Sequence, residues 1–203
     1  MGVAPRIAQH SRTSLARWHA DINAVQAPGN MQGWLSDRGS LTARLVARCG
    51  QFRVQQLSQR QAICLADEYA ELGLARRQRV HERQVLLCCD GRPVVYAHTA
   101  VPLTATASAW PLFHNLGEKS LGTTLFNDPL VHRGALTYAR LRASHPLVRR
   151  VQALQLELGQ GEAVQGLLAR RSVFRRKGSC LLVTEVFLPV VTALRLQRPG
   201  TEK

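Results

Sequence analysis

Residues 81–102 read HERQVLLCCDGRPVVYAHTAVP, two apolar runs on either side of Asp90-Gly91. An Asp-Gly pair accepts the φ > 0 geometry of a tight hairpin turn, so the segment reads as two antiparallel strands. Side chains alternate between the faces of a strand, which puts Arg83 on the same face as Val85, Leu87 and Cys89. A guanidinium on an otherwise apolar face needs a reason.

A second hairpin, RSVFRRKGSCLLVTEVFLP, turns at Lys177-Gly178. In its outgoing strand Leu181, Val183, Glu185 and Phe187 share one face, and Leu182, Thr184, Val186 and Leu188 the other. Both faces are largely apolar, which suits a central strand, and Glu185 is the odd residue. QFRVQQLS and GALTYARL alternate as further strands. Leu15, Trp18, Ile22 and Val25 are spaced for an amphipathic helix over 14–25, which APGNMQG then breaks. SLTARLVARCG reads as a helix with Ser40 as N-cap and Gly50 as its stop. Asp67–Leu74 suits a short helix, and 108–126 a helix, a turn and a second helix start. Pro146 opens a helix whose stripe is Leu147, Val151, Leu154 and Leu158. Helices followed by hairpin-connected strands indicate an α+β fold on a single antiparallel β-sheet flanked by helices.

At 203 residues and 45 % hydrophobic content the chain can bury one core. MGVAPRIAQHSR has no apolar h-region, and CLLVTEVFLPVVTAL is interrupted by Glu185 and Pro189. That is too short for a span of about 20 apolar residues, so no transmembrane segment and a cytoplasmic location are expected. The five cysteines follow no disulfide or metal pattern, and Cys88 and Cys89 point to opposite faces of one strand. They read as small hydrophobes, and no metal is expected. The net charge of +14 attracts anions. Its arginines are scattered without interleaved aromatics, so a solvated basic surface is favoured over a nucleic-acid face.

Two charges inside apolar strands remain. A carboxylate placed as Glu185 is needs a partner, or its pKa rises, as suits a general acid. Alternatively it reaches solvent from an edge. A buried Arg83 keeps its charge and needs an anion: a ligand carboxylate, or Glu185 itself in a structural ion pair. No GxSxG, P-loop, GxGxxG or paired metal-ligand spacing competes with these two residues.

At ERQVLLCCDGRPVVYAHTAVP, LGEKSLGTTLF and ARRSVFRRKGSCLLVTEVFLP the chain resembles the chorismate pyruvate-lyase family, over about Trp34 to Pro189. The resemblance implies one antiparallel sheet flanked by helices, with an internal ligand cavity under helical flaps. It implies conversion of chorismate to 4-hydroxybenzoate and pyruvate, for ubiquinone synthesis, without metal or cofactor. By position, Arg83 matches the arginine holding the ligand carboxylate and Glu185 the catalytic glutamate at the hydroxyl end of the ring. Leu121 matches a leucine whose backbone lines the site, and Leu41 falls where a methionine contact sits. Residues 1–30 then read as a helical extension and 31–196 as the domain, with about 145–165 a helical insertion. The alternative is a non-catalytic ligand-sensing domain of the related transcription-regulator fold.

Overall fold

The computed structural model describes residues 15–106, 108–156 and 166–196. Along the chain these form α1 (Gly29–Ser36), α2 (Leu41–Val46), β1 (Phe52–Ile63), β2 (Arg79–Cys89), β3 (Arg92–Pro102), α3 (Leu103–Thr106) and α4 (Leu121–Asn127). There follow β4 (His132–Arg133), β5 (Thr137–Leu141), α5 (Pro146–Ala153), β6 (Leu167–Arg176) and β7 (Ser179–Phe187). The strands make one antiparallel sheet in the order β1-β2-β3-β7-β6-β4, and β5 pairs with the other end of β6.

Both hairpin turns are where the sequence puts them. Asp90 (φ 50°) precedes Gly91 (φ 77°), and Lys177 (φ 48°) precedes Gly178 (φ 76°). Two successive positive φ values make a type I′ turn, whose twist matches that of the strands it joins. The turns therefore set the register of β2 on β3 and of β6 on β7.

One sheet face packs against α1 and α2 through Trp34, Leu35, Leu45, Val85, Leu87 and Phe187. Farther along the same face, Val101, Phe113, Leu125, Phe174 and Leu181 form a second cluster. The opposite face is covered by α5, whose Leu147, Val148 and Val151 meet Leu86, Tyr96 and Val186. Cys88 and Cys89 go to opposite faces, as alternation requires. A buried polar network crosses the α5 face: Arg150 donates to Glu82 at 2.8 Å, Gln84 to Glu82 at 2.5 Å, and His98 Nε2 lies 2.9 Å from Glu68.

Several expected elements differ. No helix forms over 15–25; His19 instead bridges to Tyr138, and Ile22–Val25 is a single 3-10 turn capped by Asp21. The apolar spacing does not mark one face: Leu15 is 61 % exposed, Trp18 joins the core under α5, and Val25 joins the core under α1. The segment read as a break starts α1, with Pro28 as its N-cap, where a missing N–H costs nothing. α2 has its Ser40 cap but ends at Val46, short of Gly50. Residues 66–73 form turns rather than a helix. The stripe over 145–165 is realised as α5; Leu158 and Gly159 lie outside the described residues.

Candidate active site

The ladder pairs Arg83 with Thr99, Thr99 with Val183, and Ala97 with Glu185. Arg83 on β2 and Glu185 on β7 therefore share a face, two strands apart and offset by two residues. Strand spacing and rise put their backbones about 12 Å apart. Both line a cavity, partly continuous with solvent, between the two apolar clusters of this face.

Arg83 is 2 % exposed and has no carboxylate within ion-pair distance among the described residues. Its Nη2 donates to the carbonyls of Gly117 (2.8 Å) and Lys119 (3.0 Å), and its Nε has no partner among the described residues. Burial pushes its pKa down to about 10. A buried cation satisfied only by carbonyl dipoles is prepared for an anion. The structural pair with Glu185 is not formed.

Glu185 has a different cation. Its Oε2 accepts from Arg170 Nε at 2.5 Å, and the carboxylate is 15 % exposed. β7 lies between β3 and β6, so the edge-strand reading is excluded. Arg170 is fully buried and donates through Nη1 to the carbonyls of Trp34, Leu35 and Asp37. Those carbonyls sit at the C-terminal end of α1, where no intrahelical donor reaches them. One guanidinium thus fixes the carboxylate and docks α1.

The other two expected residues come from the helices over the cavity. Leu41 and Leu121 are the first residues of α2 and α4, and both line it. Thr42 Oγ1 and Ser120 Oγ share a hydrogen bond of 2.5 Å, which occupies the hydroxyl that would otherwise cap α4. Gly122 lets the helices approach this closely: a Cβ there would lie 3.0 Å from Thr42 Oγ1. Gly117, whose carbonyl Arg83 holds, has φ 50°. The two Leu-Gly steps of the sequence are therefore a left-handed turn and a helix contact.

Sequence reading missed Arg133, Ser172 and Arg170. Arg133 and Ser172 line the cavity, joined by a 2.9 Å bond from Nε to Oγ. The arginines of 170–171 were expected on a solvated surface; they are 0 % and 6 % exposed. Arg171 instead stacks on Trp18 and pairs with Glu71. Burial raises the thiol pKa values of Cys64 and Cys88. Among the described residues no three His, Cys, Asp or Glu side chains converge as a metal site.

Fold and site together define an α+β protein on one antiparallel sheet, with an internal cavity holding an unpaired cation and a carboxylate. The fold is similar to two solved structures: a PhnF C-terminal domain (TM-score 0.52, 13 % identity, 76 % of this chain and 92 % of that one) and a GntR-family transcriptional regulator from Bacillus cereus (TM-score 0.50, 13 % identity, 75 % and 100 %). The chorismate lyase family model matches residues 13–195, and the chain belongs to that family. Similar proteins named probable chorismate pyruvate-lyase come from Ralstonia nicotianae (49 % identity, 78 % of this chain and 80 % of that one), Cupriavidus metallidurans (46 %, 86 % and 80 %) and Aromatoleum aromaticum (41 %, 93 % and 98 %).

Proposed function

We propose that this protein converts chorismate to 4-hydroxybenzoate and pyruvate. The observation that carries the reading is the joint placement in one cavity of Arg83, a cation with no carboxylate partner among the described residues, and the carboxylate of Glu185. Arg83 holds the ring carboxylate. Glu185 reaches C4 and the ether oxygen on C3, which are neighbours on the ring. Its Oε2 is held by Arg170, which leaves Oε1 for the chemistry.

In this reading Oε1 accepts the C4 proton as the C3–O bond breaks. The electron pair of the C4–H bond completes the aromatic ring, and the bonding pair of the C3–O bond leaves with the enolpyruvyl oxygen. Glu185 returns its proton to that oxygen, and the enol tautomerises to pyruvate. Nothing is oxidised or reduced, so no cofactor enters the balance. Aromatisation supplies the driving force, and the protein's part is to position and to shuttle one proton. The resemblance of the sequence blocks supports extending the reading to ubiquinone synthesis in the cytoplasm. No helix among the described residues is long and apolar enough to cross a membrane.

The test is chorismate turnover by the purified, chelator-dialysed protein. Pyruvate, followed through lactate dehydrogenase, and 4-hydroxybenzoate, followed by absorbance, should appear in equal amounts. Tight binding of chorismate or 4-hydroxybenzoate without turnover would replace the lyase reading with the ligand-sensing one.

A further inference from the structure

Of the arginines that line the cavity, Arg83 and Arg133 both lack a carboxylate partner among the described residues. Most other buried or half-buried arginines are paired, Arg150 with Glu82, Arg170 with Glu185, Arg171 with Glu71 and Arg176 with Asp128, while Arg48 and Arg140, outside the cavity, bind only backbone carbonyls. The two cavity arginines stand on strands four apart in the sheet. β4 and β2 lie on either side of β7, each two strands from it. In strand order Glu185 lies between Arg83 and Arg133, two residues along β7 from the level of Arg83 and four from that of Arg133; strand spacing and rise put its backbone about 12 Å from the first and about 16 Å from the second.

Arg133 is held so that one end of its guanidinium is fixed. Nε donates to Ser172 at 2.9 Å, and Nη1 donates to the carbonyls of Arg38 (2.9 Å) and Gly39 (3.4 Å). Phe126 and Phe174 lie 5.5 Å from the guanidinium carbon, edge to face with one another. Nη2 makes no hydrogen bond to the described residues. Ser172 is paired with Val183, two residues along β7 from Glu185, so Arg133 is anchored beside the reacting end of the cavity.

Building on the lyase reading, we infer that Arg133 binds the carboxylate of the enolpyruvyl group and so distinguishes substrate from product. Chorismate carries two carboxylates, one on the ring and one on the side chain that leaves. 4-Hydroxybenzoate keeps only the ring carboxylate. With Arg83 on the ring carboxylate and Glu185 at C3 and C4, the side-chain carboxylate falls on the Arg133 side of Glu185. A second cation there orients the C3 substituent and stabilises the charge that grows on the departing oxygen.

The experiment compares affinity for the dianion with affinity for the monoanion. Arg133→Met should raise the chorismate KM by about 10- to 100-fold, as expected for loss of a charge-assisted contact, and should leave inhibition by 4-hydroxybenzoate within about threefold. Arg133→Lys, which keeps the charge without the planar fork, should fall between Met and wild type. Arg83→Met should weaken both ligands. Equal loss of chorismate and 4-hydroxybenzoate affinity in the Arg133 variants, or no loss of either, would overturn the assignment. If the methionine variant does not fold, Arg133→Gln and Arg133→Lys report the same ratio. Calorimetric titration of each ligand into the Glu185→Gln background reads the ratio without turnover. Failure of this inference is therefore separable from failure of the lyase reading.

Discussion

Arg170→Met removes the one buried guanidinium that both fixes Glu185 and docks α1. The arginine is fully buried, and its carboxylate partner is 15 % exposed. Removing one member of such a pair costs about 3–5 kcal/mol, because the other charge stays behind. The carbonyls of Trp34, Leu35 and Asp37 lose their donor as well, at about 1 kcal/mol together if water reaches part of the set. A total near 5 kcal/mol lowers the melting temperature of a chain this size by about 10–20 °C. Calorimetry at pH 7 on wild type, Arg170→Met and Arg170→Met/Glu185→Gln makes the measurement. The double variant removes the stranded charge and should recover about 2 kcal/mol, or about 4–8 °C. A single variant melting within about 3 °C of wild type, or a double variant no more stable than the single, would refute the argument.

Two further outcomes follow from the same geometry. Arg83→Ala should cost about 2–5 kcal/mol of 4-hydroxybenzoate binding, and Arg83→Lys should restore little of it, as titration calorimetry would read; unchanged binding in either would remove Arg83 from the site. On the opposite face, burial raises the Asp67 carboxyl, but His145, Trp18 and Arg171 outweigh it; burial likewise raises Glu82, but His98, Arg150 and Gln84 outweigh it, so both pKa values lie below their ordinary values. Depressed carboxyl pKa values stabilise the fold above the unfolded-chain value of about 4 and lose that contribution as pH falls through the folded values. Urea midpoints should therefore drop as pH is lowered below about 4, and Glu82→Gln should flatten that drop; a parallel pH profile in the variant would contradict it.

Much of the site was legible because the two turns are so plain. Asp90-Gly91 and Lys177-Gly178 fix two registers, and alternation then puts Arg83 and Glu185 on inward positions. Counting back equally from the Lys177-Gly178 turn pairs Arg170 with Glu185, and the adjacent arginines of ARRSVF fall on opposite faces of a strand flanked by apolar residues. The run reads as surface charge only when composition is weighed above position. Arg133 left less signal, since β4 is two residues long and its partner Ser172 is 39 residues away. The N-terminal segment misled for a physical reason: its apolar residues are shared between cores on two sides of the sheet, so helical spacing was coincidental.

Glu185→Gln tests the central claim most directly. The amide keeps the shape and can still accept from Arg170, but it cannot shuttle a proton. Turnover of chorismate should fall by about 10²- to 10⁴-fold, while the dissociation constant for 4-hydroxybenzoate stays within about threefold, on a protein that remains folded. Wild-type turnover in the variant would contradict the account, and so would loss of product binding in step with loss of rate.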